Sequence, residues 1–368
     1  MNEIKTEEFM MLFEHLKLKS HELVNRFIRS ATCEYMADEK GVPDERFLEL
    51  YQKLASGGIG MVISGYAYVM PNGKSNPGQS GIYSDELIPA WKRVTRLFRD
   101  SDSLFLLQIV HGGRQVRLKH HRGPIWGPSA VPDPVYKTHP LEMTVEQINE
   151  VAEAFIKAAD RAGQAGFDGI QLHCAHGYLL SQFLSPYTNL RDDDYGGDQE
   201  KRSRLVTDII SGIRERMGDR FIISAKLNGD DFVSGGLILD QAVTTALLMK
   251  NAGLDLIEVS GGISESKTGA VRRNIVSMDQ EGYFRQHSRR IRRDVGLPTA
   301  VVGGFRTFSV MEQSLISGDA DLVSLCRPFI REPQLVLRAE KKMPLRSHCI
   351  SCNRCFNPRG LRCWQLDD

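Results

Sequence analysis

His173, His176 and Tyr178 fall within one stretch, "DGIQLHCAHGYLLSQFLSP", residues 168–186. Two imidazoles and a phenol at the mouth of an apolar segment can bind metal, pack silently, exchange protons or clamp a polar ligand. A metal site needs at least a third ligand, usually with a carboxylate nearby. None lies close in the motif, and Asp168 precedes the apolar run. Two ring N–H donors aimed at one point would polarise a carbonyl or phenolate oxygen. A phenol two residues on could deliver a proton to a carbanion. A second group is Gly303, Gly304 and Arg327. The glycines let backbone N–H groups approach an anion, a helix is expected to begin near Thr307, and Arg327 adds a forked cation. That is phosphate chemistry. A third group is the tail "SHCISCNRCFNPRGLRC", with Cys349, Cys352, Cys355 and Cys363 in a Cys-x2-Cys-x2-Cys-x7-Cys run. Short spacing without a secretion-type start argues for a metal site over disulfides. Three thiolates in one tight loop suit the corners of a [4Fe–4S] cubane. Zinc, the alternative, more often uses two separated pairs.

The elements that must position these groups follow one recurring pattern. "SGGIGMVIS", "AGFDGIQLH", "AGLDLIEVS" and "SGDADLVSLC" each read small residue, Gly, turn, then an apolar run. The Gly suits a left-handed helix cap and the run a buried parallel strand. Between them lie amphipathic helices, among them one with a capping box from Thr144 to Gln147 and an apolar stripe Ile148, Val151, Phe155, Ala159, Ala162. Strands are expected near 26–30, 61–64, 104–109, 169–172, 222–227, 256–260, 299–302 and 322–325. That is an α/β fold of the (β/α)8 TIM-barrel type over residues 1–345, with a short Cys-rich extension over 346–368. A doubly wound sheet fits less well, because no strand is followed by a dinucleotide-type glycine turn. At the strand ends stand Cys33 and Tyr35, Gly65, Gln108, the two histidines, Lys226, and the glycine and arginine set. The long stretch after the third strand, rich in Pro, Gly and basic residues, reads as a lid or an irregular excursion.

Composition excludes some classes. The 368 residues carry 47 basic and 46 acidic side chains, a net charge of +1. Nothing in that balance points to nucleic acid or an anionic membrane. The start has early acidic residues and no apolar run, so a cytoplasmic location is expected. Neither a monomer nor a homo-oligomer is excluded.

The stretch "LHCAHGYLLSQFLSPYTNLRDDDYGGDQEKRSRL" closely resembles the signature of the Old Yellow Enzyme family, the NADH:flavin oxidoreductases with ene-reductase activity. "NRFIRSATCEY", "LQIVHGGRQ", "SAKLNGDDF", "VVGGFRTF" and "SLCRPFIREP" resemble further family blocks in the same order, from Asn25 to Pro333. The resemblance implies an FMN-containing barrel that takes hydride from NADH or NADPH. By the same resemblance His173 and His176 bind the substrate carbonyl and Tyr178 is the proton donor. Gln108 and Lys226 bind the pyrimidine edge, and Gly303, Gly304 and Arg327 hold the phosphate. Gly65 and Cys33 belong to the cofactor site, and Tyr35 faces the substrate. The implied reaction is ping-pong reduction of an α,β-unsaturated carbonyl compound. The Cys tail resembles that of 2,4-dienoyl-CoA reductases and trimethylamine dehydrogenase, with a shorter last spacing and without their added dinucleotide-binding domains. An iron–sulfur flavoenzyme of that type is the alternative. A flavin-free aldolase or isomerase would need Lys226 as its Schiff-base amine, and a non-enzymatic zinc module would leave the polar rim unexplained.

Overall fold

The computed structural model describes residues 11–341 and 346–366. The first ten residues and the expected boundary at residue 345 lie outside that description. Eight parallel strands form the barrel: β1 Phe27–Arg29, β2 Met61–Ile63, β3 Leu104–Val110, β4 Gly169–Cys174, β5 Ile222–Asn228, β6 Leu256–Ser260, β7 Thr299–Val302 and β8 Leu322–Leu325. Each pairs in parallel with the next, and β8 returns to β1 with Leu325 opposite Arg29, so the sheet closes. Helices α1 Glu45–Ala55, α2 Ile88–Thr95, α3 Val145–Ala165, α4 Gln199–Met217, α5 Leu239–Asn251, α6 Arg285–Val295, α7 Phe308–Ile316 and α8 Leu335–Lys341 follow the strands in turn.

The local reasons are those expected. Thr144 and Gln147 form the capping box of α3, and the helix ends at Gly166 with φ of 96°. Its stripe is buried, and Val151 and Phe155 share the outer core with Leu107, Ile109, Ile170 and Leu172 of the sheet. The barrel interior is layered. At the bottom, Ile28, Met61, Leu106, Ile222, Leu256 and Leu322 meet Leu18 and Leu23 in one apolar cluster. Those two leucines come from an antiparallel hairpin, Leu16–Leu18 with His21–Leu23, which plugs the N-terminal end of the barrel. The ammonium of Lys19 in its turn lies 3.0 Å from the buried carboxylate of Asp255.

Above the plug the interior turns polar. Gln108 gives a 2.7 Å hydrogen bond to Gln171, and Gln171 gives one of 3.0 Å to Glu258. Ser30 donates to Glu258 at 2.6 Å and receives from Lys226 at 2.9 Å, while Lys226 pairs with Glu258 at 3.3 Å. All are buried. Breaking such a buried pair by removing one partner costs about 3–5 kcal/mol. This layer is therefore a rigid floor for whatever lies above. Among the described residues no helix is long and apolar enough to cross a membrane.

Candidate active site

A cavity of about 440 Å³ opens on this floor at the C-terminal ends of the strands. β4 places His173 in its wall. After the strand, His176 and Gly177 both take left-handed backbone, with φ of 62° and 79°. A Cβ on Gly177 would lie 2.4 Å from Nε2 of Gln115, so that close turn requires glycine. The turn swings Tyr178 back over the same wall, and the short helix Leu179–Leu184 starts there. The rings of His173 and His176 lie edge to face at 5.1 Å, and Tyr178 is 4.8 Å from His173. Nε2 of His176 is 2.8 Å from Oγ of Ser260, and the backbone N–H of His176 donates to Oδ1 of Asn228 at 3.2 Å. Nδ1 of His173 is buried with no partner among the described residues.

Burial sets the protonation states. Desolvation holds His176 down to about 3, with Lys226 adding repulsion. The same burial, then His176 and Lys226, holds His173 well below the usual imidazole range. Both imidazoles are neutral. Burial raises Tyr178 well above its ordinary value, so the phenol keeps its proton. Its hydroxyl lies 3.1 Å from that of Tyr66, which accepts a 3.0 Å bond from Asn76. Cys33 is pushed up to about 12, chiefly by burial and then by Glu34, and stays a thiol.

Cys33, Tyr35, Gln108, His173, His176, Tyr178, Lys226, Gly304 and Arg327 all line this one cavity. Two expected members stand elsewhere. Gly65 is outside the lining, and its N–H is engaged by the Glu34 carboxylate at 2.7 Å and by Tyr51 at 3.1 Å. Gly303 is not among the lining residues, although Val302 and Gly304 on either side of it are, and its carbonyl accepts from Gly282 at 2.6 Å. A helix does start after Thr307, but Glu281 already takes the N–H groups of Arg306 and Thr307, at 2.7 and 2.8 Å. The carboxylate thus takes the N–H groups of the residue that caps the helix and of the one before it. Lys226 is ion-paired, which removes the argument for a Schiff-base amine.

Tyr66 and Tyr136 are cavity residues that the sequence pattern does not single out, and they are joined by Gln115, the last residue of the block "LQIVHGGRQ", and by Ser260 at the end of β6. Gln115 and Tyr136 come from the long loop after β3. Buried Arg114 ties that loop down, donating to the carbonyls of Val131 and Pro132 and pairing with Glu265. The loop is thus a built wall.

The residues fit a flavin nucleotide. The cavity has aromatic and apolar walls, and Gln108 and Lys226 on its floor. Gly304 (φ 73°) and Arg327 line it too, as do three residues with a buried polar atom that has no partner among the described residues: His173 (Nδ1), Ser324 (Oγ) and Ser351 (Oγ).

The tail differs from expectation. Among the described residues no group of three or more His, Cys, Asp or Glu side chains could hold a metal ion. Cys349, Cys352, Cys355 and Cys363 instead line one small cavity beside Arg327 and Trp364, with Arg331 donating to Cys363 at 3.6 Å.

Known proteins agree with this architecture. The NADH:flavin oxidoreductase / NADH oxidase family profile matches residues 11–346. An NADH oxidase of Thermoanaerobacter brockii is 33% identical over 96% of this chain and 56% of its own length. An NADPH dehydrogenase of Listeria monocytogenes is 34% identical over 90% of this chain and 95% of its own. A structure of 2-naphthoyl-CoA reductase with 2-naphthoyl-CoA superposes with a TM-score of 0.88 at 27% identity, over 95% of this chain and 57% of that one. An old yellow enzyme homologue from Zymomonas mobilis gives 0.78 at 26% identity, over 91% and 94%. The chain thus spans little more than half of the first and third of these proteins and nearly all of the other two. A closed barrel with this rim, matched over nearly its whole length, belongs to the NADH:flavin oxidoreductase / NADH oxidase family of FMN-dependent NAD(P)H oxidoreductases.

Proposed function

We propose that this protein uses NAD(P)H to reduce the activated C=C bond of small α,β-unsaturated carbonyl compounds. The observation that carries the reading is the wall of His173, His176 and Tyr178: two neutral imidazoles, one with an unpartnered buried nitrogen, beside a phenol that burial keeps protonated. Bound FMN supplies the hydride chemistry, from the nicotinamide to the β-carbon of the alkene. The chain does the rest. His173 and His176 donate ring N–H bonds to the substrate carbonyl oxygen and favour the charge that develops there. For His176 this requires the proton on Nδ1, the tautomer selected when Ser260 donates to Nε2. Tyr178 gives its phenolic proton to the α-carbon. Gln108 and Lys226 would receive the pyrimidine edge, Cys33 would lie against the ring system, Tyr35 would face the substrate, and Gly304 with Arg327 would take the phosphate. The FMN-loaded protein, given NADH or NADPH and 2-cyclohexenone without oxygen, then yields the saturated ketone. Nicotinamide oxidation that needs oxygen and leaves the alkene intact overturns the reading.

A second feature of the function rests on the tail. We infer that Cys349, Cys352, Cys355 and Cys363 hold a [4Fe–4S] cluster. A cubane needs thiols spread around a cluster, not converging on one ion, and all four line a common cavity. Iron and acid-labile sulfide in anaerobically purified protein, lost in Cys352→Ser, support the assignment. Protein that contains neither overturns it.

A further inference from the structure

The tail is part of the barrel wall. Leu361 is buried, and its N–H donates to the carbonyl of Glu34 at 2.8 Å. Ser347 donates to the carbonyl of Arg306 at 2.7 Å, and Arg46 to that of Arg359 at 2.8 Å. These contacts carry Ser351 and Phe356 into the lining of the main cavity.

Ser351 has two local costs. Its backbone is left-handed, with φ of 58°, which strains a residue that has a Cβ. Its side chain is 1% exposed, and its hydroxyl has no hydrogen-bond partner among the described residues. A buried hydroxyl without a partner is destabilising. Glycine would remove both costs. A serine here makes sense when its partner arrives with a ligand.

The surroundings say which part of a ligand that is. One nitrogen of the Arg327 guanidinium donates to the carbonyls of Arg272 and Ser351 and to Oδ1 of Asn353, at 2.8, 3.3 and 2.6 Å. Ser351 is therefore tied directly to the cation of the site. Ser324, at the end of β8, also lines the cavity with an unpartnered buried hydroxyl. Among the described residues no Asp or Glu lines this cavity. Two hydroxyl donors with an arginine suit the several acceptor oxygens and the charge of a phosphate monoester.

We propose that Ser351 of the tail donates its hydroxyl to the phosphate of the flavin nucleotide, so that tail and barrel together make the phosphate site. This rests on the flavin reading above. Flavin-free full-length protein, wild type and Ser351→Ala and Ser351→Gly, is titrated with FMN and with riboflavin by flavin fluorescence. Riboflavin shares the ring system and lacks the phosphate. Both variants raise the Kd for FMN about ten-fold or more, as expected for one hydrogen bond to a charged group, and leave the Kd for riboflavin within two-fold. Ser351→Gly also raises the melting temperature of the flavin-free protein, through relief of the left-handed strain. An unchanged Kd for FMN, or an equal loss for both ligands, overturns the assignment. Wild-type protein that binds neither ligand overturns the flavin reading itself.

Discussion

Replacing Tyr178 by Phe isolates a single atom of the mechanism. The hydroxyl removed makes one hydrogen bond, 3.1 Å to Tyr66, and Tyr66 keeps its 3.0 Å bond from Asn76. The ring stays packed against His173 and Tyr66. Loss of one neutral hydrogen bond costs about 0.5–1.5 kcal/mol of stability, so the fold and the binding of carbonyl ligands persist. General acid catalysis contributes about 10²- to 10⁴-fold, or about 2.7–5.5 kcal/mol of barrier at 1.36 kcal/mol per decade. The two half-reactions are followed separately by anaerobic stopped-flow. Reduction of bound FMN by NADPH keeps its rate, whereas reoxidation by an enone slows about 10²-fold or more. The wild-type enone step is also independent of pH from about 6 to 9, because burial raises the phenol well above its ordinary range. Equal slowing of both half-reactions refutes the acid role. A larger loss in Tyr66→Phe than in Tyr178→Phe moves that role to Tyr66.

Other perturbations test other parts of the argument. His173→Ala weakens phenol binding, read as loss of the long-wavelength charge-transfer band; an unchanged band contradicts its assigned role. Ser260→Ala frees the His176 tautomer and weakens the same band in part, whereas an effect as large as that of His173→Ala argues against a merely orienting part. His176 is held at about 3 against an ordinary 6.5, so between those values the unfolded chain binds the extra proton and stability falls with the pH. His176→Gln removes that contribution and flattens the pH dependence of urea unfolding between pH 6 and 4 by about 1.4 kcal/mol per unit; an unaltered slope contradicts the buried neutral state. In Gly65→Ala the new Cβ would lie 1.9 Å from Oε2 of Glu34 and 2.3 Å from the carbonyl of Thr32. Overpacking of that kind costs about 1–3 kcal/mol, so the melting temperature drops, and an unchanged value refutes the close packing.

The barrel was legible in the sequence because its signals are local. A parallel strand buried on both faces is a short apolar run, as in Leu256–Ser260, and a helix that ends at Gly166 announces the next strand. The positions of His173, His176 and Tyr178 follow once β4 is placed. What was not legible depends on chain closure. Gln171 meets Glu258 across 87 positions, and nothing near either residue announces the pairing. Gly65 looks like a rim glycine, and only the fold shows Glu34 filling the space beside it. Glu281 takes the N–H of Thr307 from 26 residues away, a contact that nothing in the motif announces. Tyr66 follows Gly65 at a strand end, but nothing local says that it, rather than Tyr68 two positions on, enters the cavity; Tyr136 stands in the irregular loop after β3. The tail looked like a separate appendage, and docking on Glu34, Arg306 and Arg327 makes it part of the wall.

The hairpin that shuts the lower end of the barrel has a consequence for traffic. With Leu18 and Leu23 stoppering the strands below the polar floor, the cavity is a cul-de-sac. On the function proposed above, nicotinamide and alkene would both have to enter from the open end and would compete for the same space; the expected outcome is inhibition of turnover by an excess of either one.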